Sequence, residues 1–148
     1  MKKSLLYFIL VMMIFTSVLM GCGNKKNPFI PLTEKDVRRI GLYGYSKSRN
    51  KSINRDATGE EKKKILEMFN DLKTYDKKIK KEPPKNGKPS ESNIQIFLKD
   101  SEVAGSNLGV IYIVKYKEDR VLIGKSGNRD GYVIRSKEFS DILDELRE

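Results

Sequence analysis

The first 22 residues constrain this chain more than any other stretch. Lys2 and Lys3 precede an apolar run from Leu5 to Met20, which ends at Leu19-Met20-Gly21-Cys22. A basic start, an apolar middle and a small residue at the end are the three parts of a secretory signal. The run is 16 residues long, short of the roughly 20 that span a bilayer comfortably. No basic stop-transfer cluster abuts its end, which argues against the competing reading of an uncleaved membrane anchor. The folded part must therefore be built from the remainder, outside the cytoplasm.

The only cysteine of the chain stands at the end of that run. Leu19-Met20-Gly21-Cys22 resembles the bacterial lipobox, in which a small residue precedes the thiol and an aliphatic residue lies three before it. Met20 departs from the smaller residues usual at its position. The resemblance implies cleavage between Gly21 and Cys22 and a diacylglyceryl group on the Cys22 sulfur. It places the protein on the extracytoplasmic face of the cell membrane, with no cofactor beyond that lipid. Two acyl chains hold firmly, since each buried CH₂ contributes about 0.8 kcal/mol. A lone thiol makes neither an internal disulfide nor a metal site.

Residues 1–21 are thus the signal, 22–35 the lipid anchor and a flexible tether, and 36–148 one domain. The mature chain of 127 residues suffices for one ordinary domain. Without Lys2 and Lys3 the net charge of +10 falls to +8, a statement about partners rather than fold. Outside a membrane the available polyanions are lipid headgroups and wall polymers, so no nucleic-acid partner is expected. The chain has no histidine and so lacks the ordinary general base at neutral pH.

Gly23 to Pro31 is polar and proline-punctuated, and as an extended tether it reaches about 30 Å. Val37 to Tyr45 reads as a strand with Ile40 and Leu42 on one face and Tyr43 and Tyr45 on the other. Gly41 and Gly44 weaken it and allow a bulge or bend. A polar turn follows, with a short strand possible about Ile53. Thr58-Gly59-Glu60-Glu61 is a capping box, and Ile65, Leu66, Met68, Phe69 and Leu72 form the apolar stripe of a helix from Gly59 to Tyr75. Lys62, Lys63, Lys73 and Lys77 fall on its basic side. Residues 80–92 read as a long exposed loop, marked by Pro83-Pro84, Asn86-Gly87 and Pro89.

Ile94 to Leu98 alternates, and Leu108 to Lys117 is apolar on both faces, as a central strand is. Lys117 to Arg120 turns, Val121 to Ile123 returns antiparallel, and Tyr132 to Ile134 follows a second turn. Ser136 caps a last helix in which Phe139, Ile142, Leu143 and Leu146 keep helical spacing. The order β-α-β-β-β-β-α favours an α+β fold: one antiparallel sheet of about five strands with two helices packed on one face. In this layout Val37 to Glu148 resembles small uncharacterised lipoproteins of Gram-positive bacteria, a resemblance that brings no catalytic residues with it.

No motif supports catalysis or a metal. Gly124-Lys125-Ser126 ends like a phosphate-binding loop, but Asp119 stands where that loop needs a glycine, and a hairpin follows rather than a helix. Asn128 and Asp130 are explained as turn residues. A carboxylate pair of the glycosidase kind cannot be picked from 20 acidic residues by sequence. The expectation is a non-enzymatic binding domain that meets an envelope protein through the sheet face left bare by the helices. Tyr43, Tyr45, Lys47 and Arg49 are its candidate surface residues, although a half-buried strand and a charged turn explain them without a ligand. The alternatives are electrostatic association with anionic wall polymer or lipid, and a carboxylate-dependent hydrolase.

Overall fold

The computed structural model describes residues 25–46, 48–80, 92–99 and 109–148. The signal, Gly21, Cys22, Lys47 and most of the expected loop over residues 80–92 lie outside them.

The described chain forms one antiparallel sheet of seven strands and two helices. In chain order these are β1 (Val37–Ser46), β2 (Lys51–Asp56), α1 (Gly59–Asp71), β3 (Lys77–Lys80), β4 (Asn93–Leu98), β5 (Val110–Lys117), β6 (Arg120–Lys125), β7 (Asp130–Arg135) and α2 (Lys137–Glu145). Across the sheet the order is β2-β1-β4-β5-β6-β7-β3, so β5, apolar on both faces, occupies the middle. The fold is α+β and antiparallel as expected, but the sheet has seven strands rather than about five. The short strand about Ile53 is β2. The strand the sequence pattern missed is β3, whose Lys-Lys-Ile-Lys offers one apolar residue to a period-two pattern. β3 forms by pairing with β7, where Ile79 meets Gly131 and Lys77 meets Val133.

One face of the sheet carries Ile40, Leu42, Ile94, Ile96, Ile111, Ile113, Val121, Ile123 and Ile134. These join Ile65, Leu66 and Phe69 of α1 and Phe139 and Leu143 of α2 in a single apolar cluster. The helices are nevertheless not a clear pair laid on one face. The backbone of α2 comes close to β5 and β6, while α1 meets the strands through side chains and through the segment before β1.

That segment corrects the expected tether. From Lys25 onward it is bonded to the domain. Asn27 is 3 % exposed; its amide N–H donates to the Lys73 carbonyl at 2.9 Å, and its Nδ2 donates to the Leu72 carbonyl at 2.9 Å. The Tyr75 N–H donates to the Lys25 carbonyl at 2.9 Å, and Leu32 and Asn70 exchange hydrogen bonds at 2.8 and 2.7 Å. The last carbonyls of a helix need partners from outside it. Here the N-terminal segment supplies one at Leu72, the C-cap residue. This is why α1 stops at Asp71 and not at Tyr75, leaving Lys73 beyond the helix and Lys77 in β3.

The glycines of β1 also differ from expectation. The register shift lies between Val37 and Arg39, not at Gly41 or Gly44. Gly44 is instead where the end of α2 approaches, since a Cβ there would stand 2.1 Å from the Leu146 carbonyl oxygen.

Candidate functional site

Period-two alternation along β1 sends Tyr43 and Tyr45 to the second face of the sheet, opposite Ile40 and Leu42. The register sets Tyr43 in a row with Asn93, Val114, Leu122, Val133 and Lys77. The next row runs Gly41, Gln95, Tyr112, Gly124, Gly131 and Ile79. Its glycines leave hollows that neighbouring side chains fill. The Tyr43 ring lies where a Cβ on Gly41 would come within 2.5 Å, and Leu122 Cδ1 lies 2.7 Å from the place of a Cβ on Gly131.

The middle of this face is not bare. Val114, Leu122 and Val133 form a second buried cluster with Ile79 and Tyr116 against it, and Tyr112 is 4 % exposed. Burial pushes the Tyr112 hydroxyl pKa up, with a smaller contribution from Tyr43. Around that middle runs a rim of half-buried and exposed residues, among them Arg39, Tyr43, Tyr45, Phe97 and Tyr116. The Arg39 guanidinium stacks 3.7 Å over the Phe97 ring and pairs with Asp56 at 2.8 Å, so it is held flat against the face. At the far end Lys77 Nζ lies 4.9 Å over the Tyr116 ring. Arg120 pairs with Asp76 at 3.0 Å and Arg135 with Asp119 at 3.1 Å.

Arg49 is elsewhere. It lies in the β1–β2 turn beside a groove of about 660 Å³, lined also by Ser46, Ser48, Lys51, Ser52, Ile53, Asn54, Arg55, Glu145 and Glu148. Two of these linings come from the end of α2 and beyond, so the groove opens toward the helix side. The Ser46 hydroxyl donates to the Glu148 carbonyl at 2.6 Å, and the Ser48 hydroxyl donates to the same oxygen. Arg55 is engaged by Glu61 through paired 2.8 Å hydrogen bonds. These lower the Glu61 pKa to about 2, with help from the Thr58 backbone N–H. Among the described residues the Arg49 and Lys51 side chains have no ion-pair partner, so they are the available cations of a groove that Glu145 and Glu148 also line.

The structure describes three of the four residues grouped by the sequence. Tyr43 and Tyr45 share the second face, where the Tyr45 hydroxyl donates to Asn50 Oδ1. Arg49 belongs to the groove, and Lys47 lies outside the described residues. Arg39 and Phe97 were missed by the sequence reading, because their stacking joins β1 to β4 across the sheet. Among the described residues no three His, Cys, Asp or Glu side chains gather as a metal site. Gly124-Lys125-Ser126 ends β6 and leads into β7 rather than a helix.

No family model matches the chain, and no curated protein matches it. Among solved structures, a thioesterase-like protein from Clostridium sporogenes is similar at 25% identity and a TM-score of 0.36, over 75% of this chain and 96% of that one. A likeness this loose assigns neither family nor activity.

Proposed function

We propose that the protein is a lipid-anchored domain of the extracytoplasmic membrane face that binds a protein partner and performs no catalysis. The Cys22 signal supports the anchor. One observation carries the binding role: on the second face the Arg39 guanidinium is stacked on Phe97 with Tyr43 beside it, all three half-buried. Aromatic residues and arginine dominate the energetically decisive parts of protein interfaces, because they bury large area at low entropic cost. Arg39 is already held by Phe97 and Asp56, so little freedom is lost when a partner covers it.

Crosslinking in intact cells followed by mass spectrometry tests this reading. The wild-type protein is expected to capture one dominant envelope protein, and Arg39→Ala with Phe97→Ala to lose most of it. Undiminished capture by the double variant removes the second face as the binding surface. Recovery of wall polymer alone, steeply weakened by salt, favours the electrostatic alternative. The anchor has its own test: mass spectrometry of the mature N-terminal peptide should show the diacylglyceryl group on Cys22, and Cys22→Ala should release the protein from membranes.

A further inference from the structure

The docked N-terminal segment changes what a lipid on Cys22 does. As a free tether to Pro31 it would let the domain tumble within about 30 Å of the bilayer. Bonded from Lys25 onward, it leaves only Gly23 and Asn24 between the anchor and the domain, a reach of about 10 Å. The segment runs antiparallel to residues 73–75, with Lys26 opposite Thr74. Followed from Asn27 back to Lys25, it therefore heads toward β3, the edge strand of the sheet.

This edge is basic. Lys25, Lys26, Lys73, Lys77, Lys78 and Lys80 are all exposed. Asp130 accepts from both Lys78 and Lys80, at 2.7 and 2.8 Å, and Asp76 is taken by Arg120, so the edge keeps a net positive charge. Lysines on an edge strand also guard against strand-to-strand association, but Lys25, Lys26 and Lys73 lie off the strand.

Resting on the Cys22 anchor reading, we propose that the β3 edge and residues 25–26 form a docking surface for an anionic lipid bilayer, so that the sheet stands on the membrane by this edge. The short link delivers the edge to within a Debye length of the headgroups, where each lysine gains from the negative surface potential. Six interstrand spacings separate β3 from β2, about 29 Å at ~4.8 Å each. The groove at Arg49 and the rim at Tyr43 and Tyr45 are then held away from the lipid, facing the envelope.

The acylated protein has no free thiol, so one introduced cysteine can carry a fluorophore. Thr74→Cys reports the β3 end and Asn54→Cys the β2 end, in vesicles of equal phosphatidylglycerol and phosphatidylcholine with headgroup-level quencher lipids. Quenching is expected to be several-fold stronger at Thr74. The contrast should collapse in Lys77→Glu/Lys78→Glu/Lys80→Glu and in phosphatidylcholine alone. Equal quenching at both positions overturns the proposal, and so does a contrast that survives both charge controls, since the short link alone would then orient the domain. The Cys22 mass is read before reconstitution: without the lipid the anchor reading fails, whereas a lipidated protein that tumbles defeats only the orientation.

Discussion

Gly44 sits where the chain beyond α2 crosses β1, and even a methyl group there would collide with backbone rather than with a side chain that could turn aside. A Cβ would stand 2.9 Å from the Leu146 carbonyl carbon as well as 2.1 Å from its oxygen. Gly44→Ala is expected to cost about 2 kcal/mol or more, read as a lower urea midpoint; an unchanged midpoint would show that the C-terminal end shifts freely. Glu61 carries a pH signature. Its folded pKa of about 2 lies below the ordinary value of 4.5, so its contribution is present above about pH 4.5 and lost as pH falls toward 2. Glu61→Gln should lose stability less steeply than wild type across that window in acid titrations followed by circular dichroism. Equal slopes would mean that water screens the pair away, the Glu61 side chain being 38% exposed. The capping box was legible because Thr58 and Glu61 are three residues apart. The need for glycine at position 44 was not, because it depends on a residue at the other end of the chain.

At the scale of elements, alternation was a sound guide wherever a strand buries one face fully, as β4 and β6 do with Ile94, Ile96, Val121 and Ile123. It failed at β3, an edge strand that contributes only Ile79 to packing. It also overran α1, since Leu72 and Tyr75 extend the helical spacing although the Leu72 carbonyl is bonded by Asn27. Asn27 has no sequence signature, as its partners Leu72 and Lys73 are distant in the chain. Asn27→Ala leaves the Leu72 carbonyl and the Phe29 N–H without the partners they have now, at a cost of about 1–3 kcal/mol. Hydrogen exchange should quicken at Leu32 and Tyr75, whose N–H groups hold the segment down, while β5 and β6 stay protected. Unchanged exchange at those two amides would mean that Asn70 and the backbone bonds suffice.

For the whole molecule, a sheet of seven strands gives two edges of different character. The β3 edge carries the N-terminal segment, and the β2 edge carries the groove with Arg49 and Lys51. If the protein stands on a bilayer by its β3 edge, raising salt from about 0.1 M to 1 M shortens the Debye length from about 10 Å to 3 Å. The acylated protein should then stay in the membrane fraction while the quenching contrast between Thr74 and Asn54 fades. Release from the membrane at high salt would instead assign its retention to charge.

The sequence by itself determined the α+β class, the central place of β5, both helix starts and the face on which Ile40 and Leu42 lie. Each of these rests on local periodicity or on a cap within four residues. Only the tertiary structure decided that β3 is a strand, that α1 ends at Asp71, that residues 25–32 belong to the domain, and that Arg49 lines a groove while Tyr45 lies on the second face. Those outcomes depend on backbone groups finding partners far along the chain, and on the alternation of a strand ending where its turn begins. Neither leaves a mark on the spacing of apolar residues.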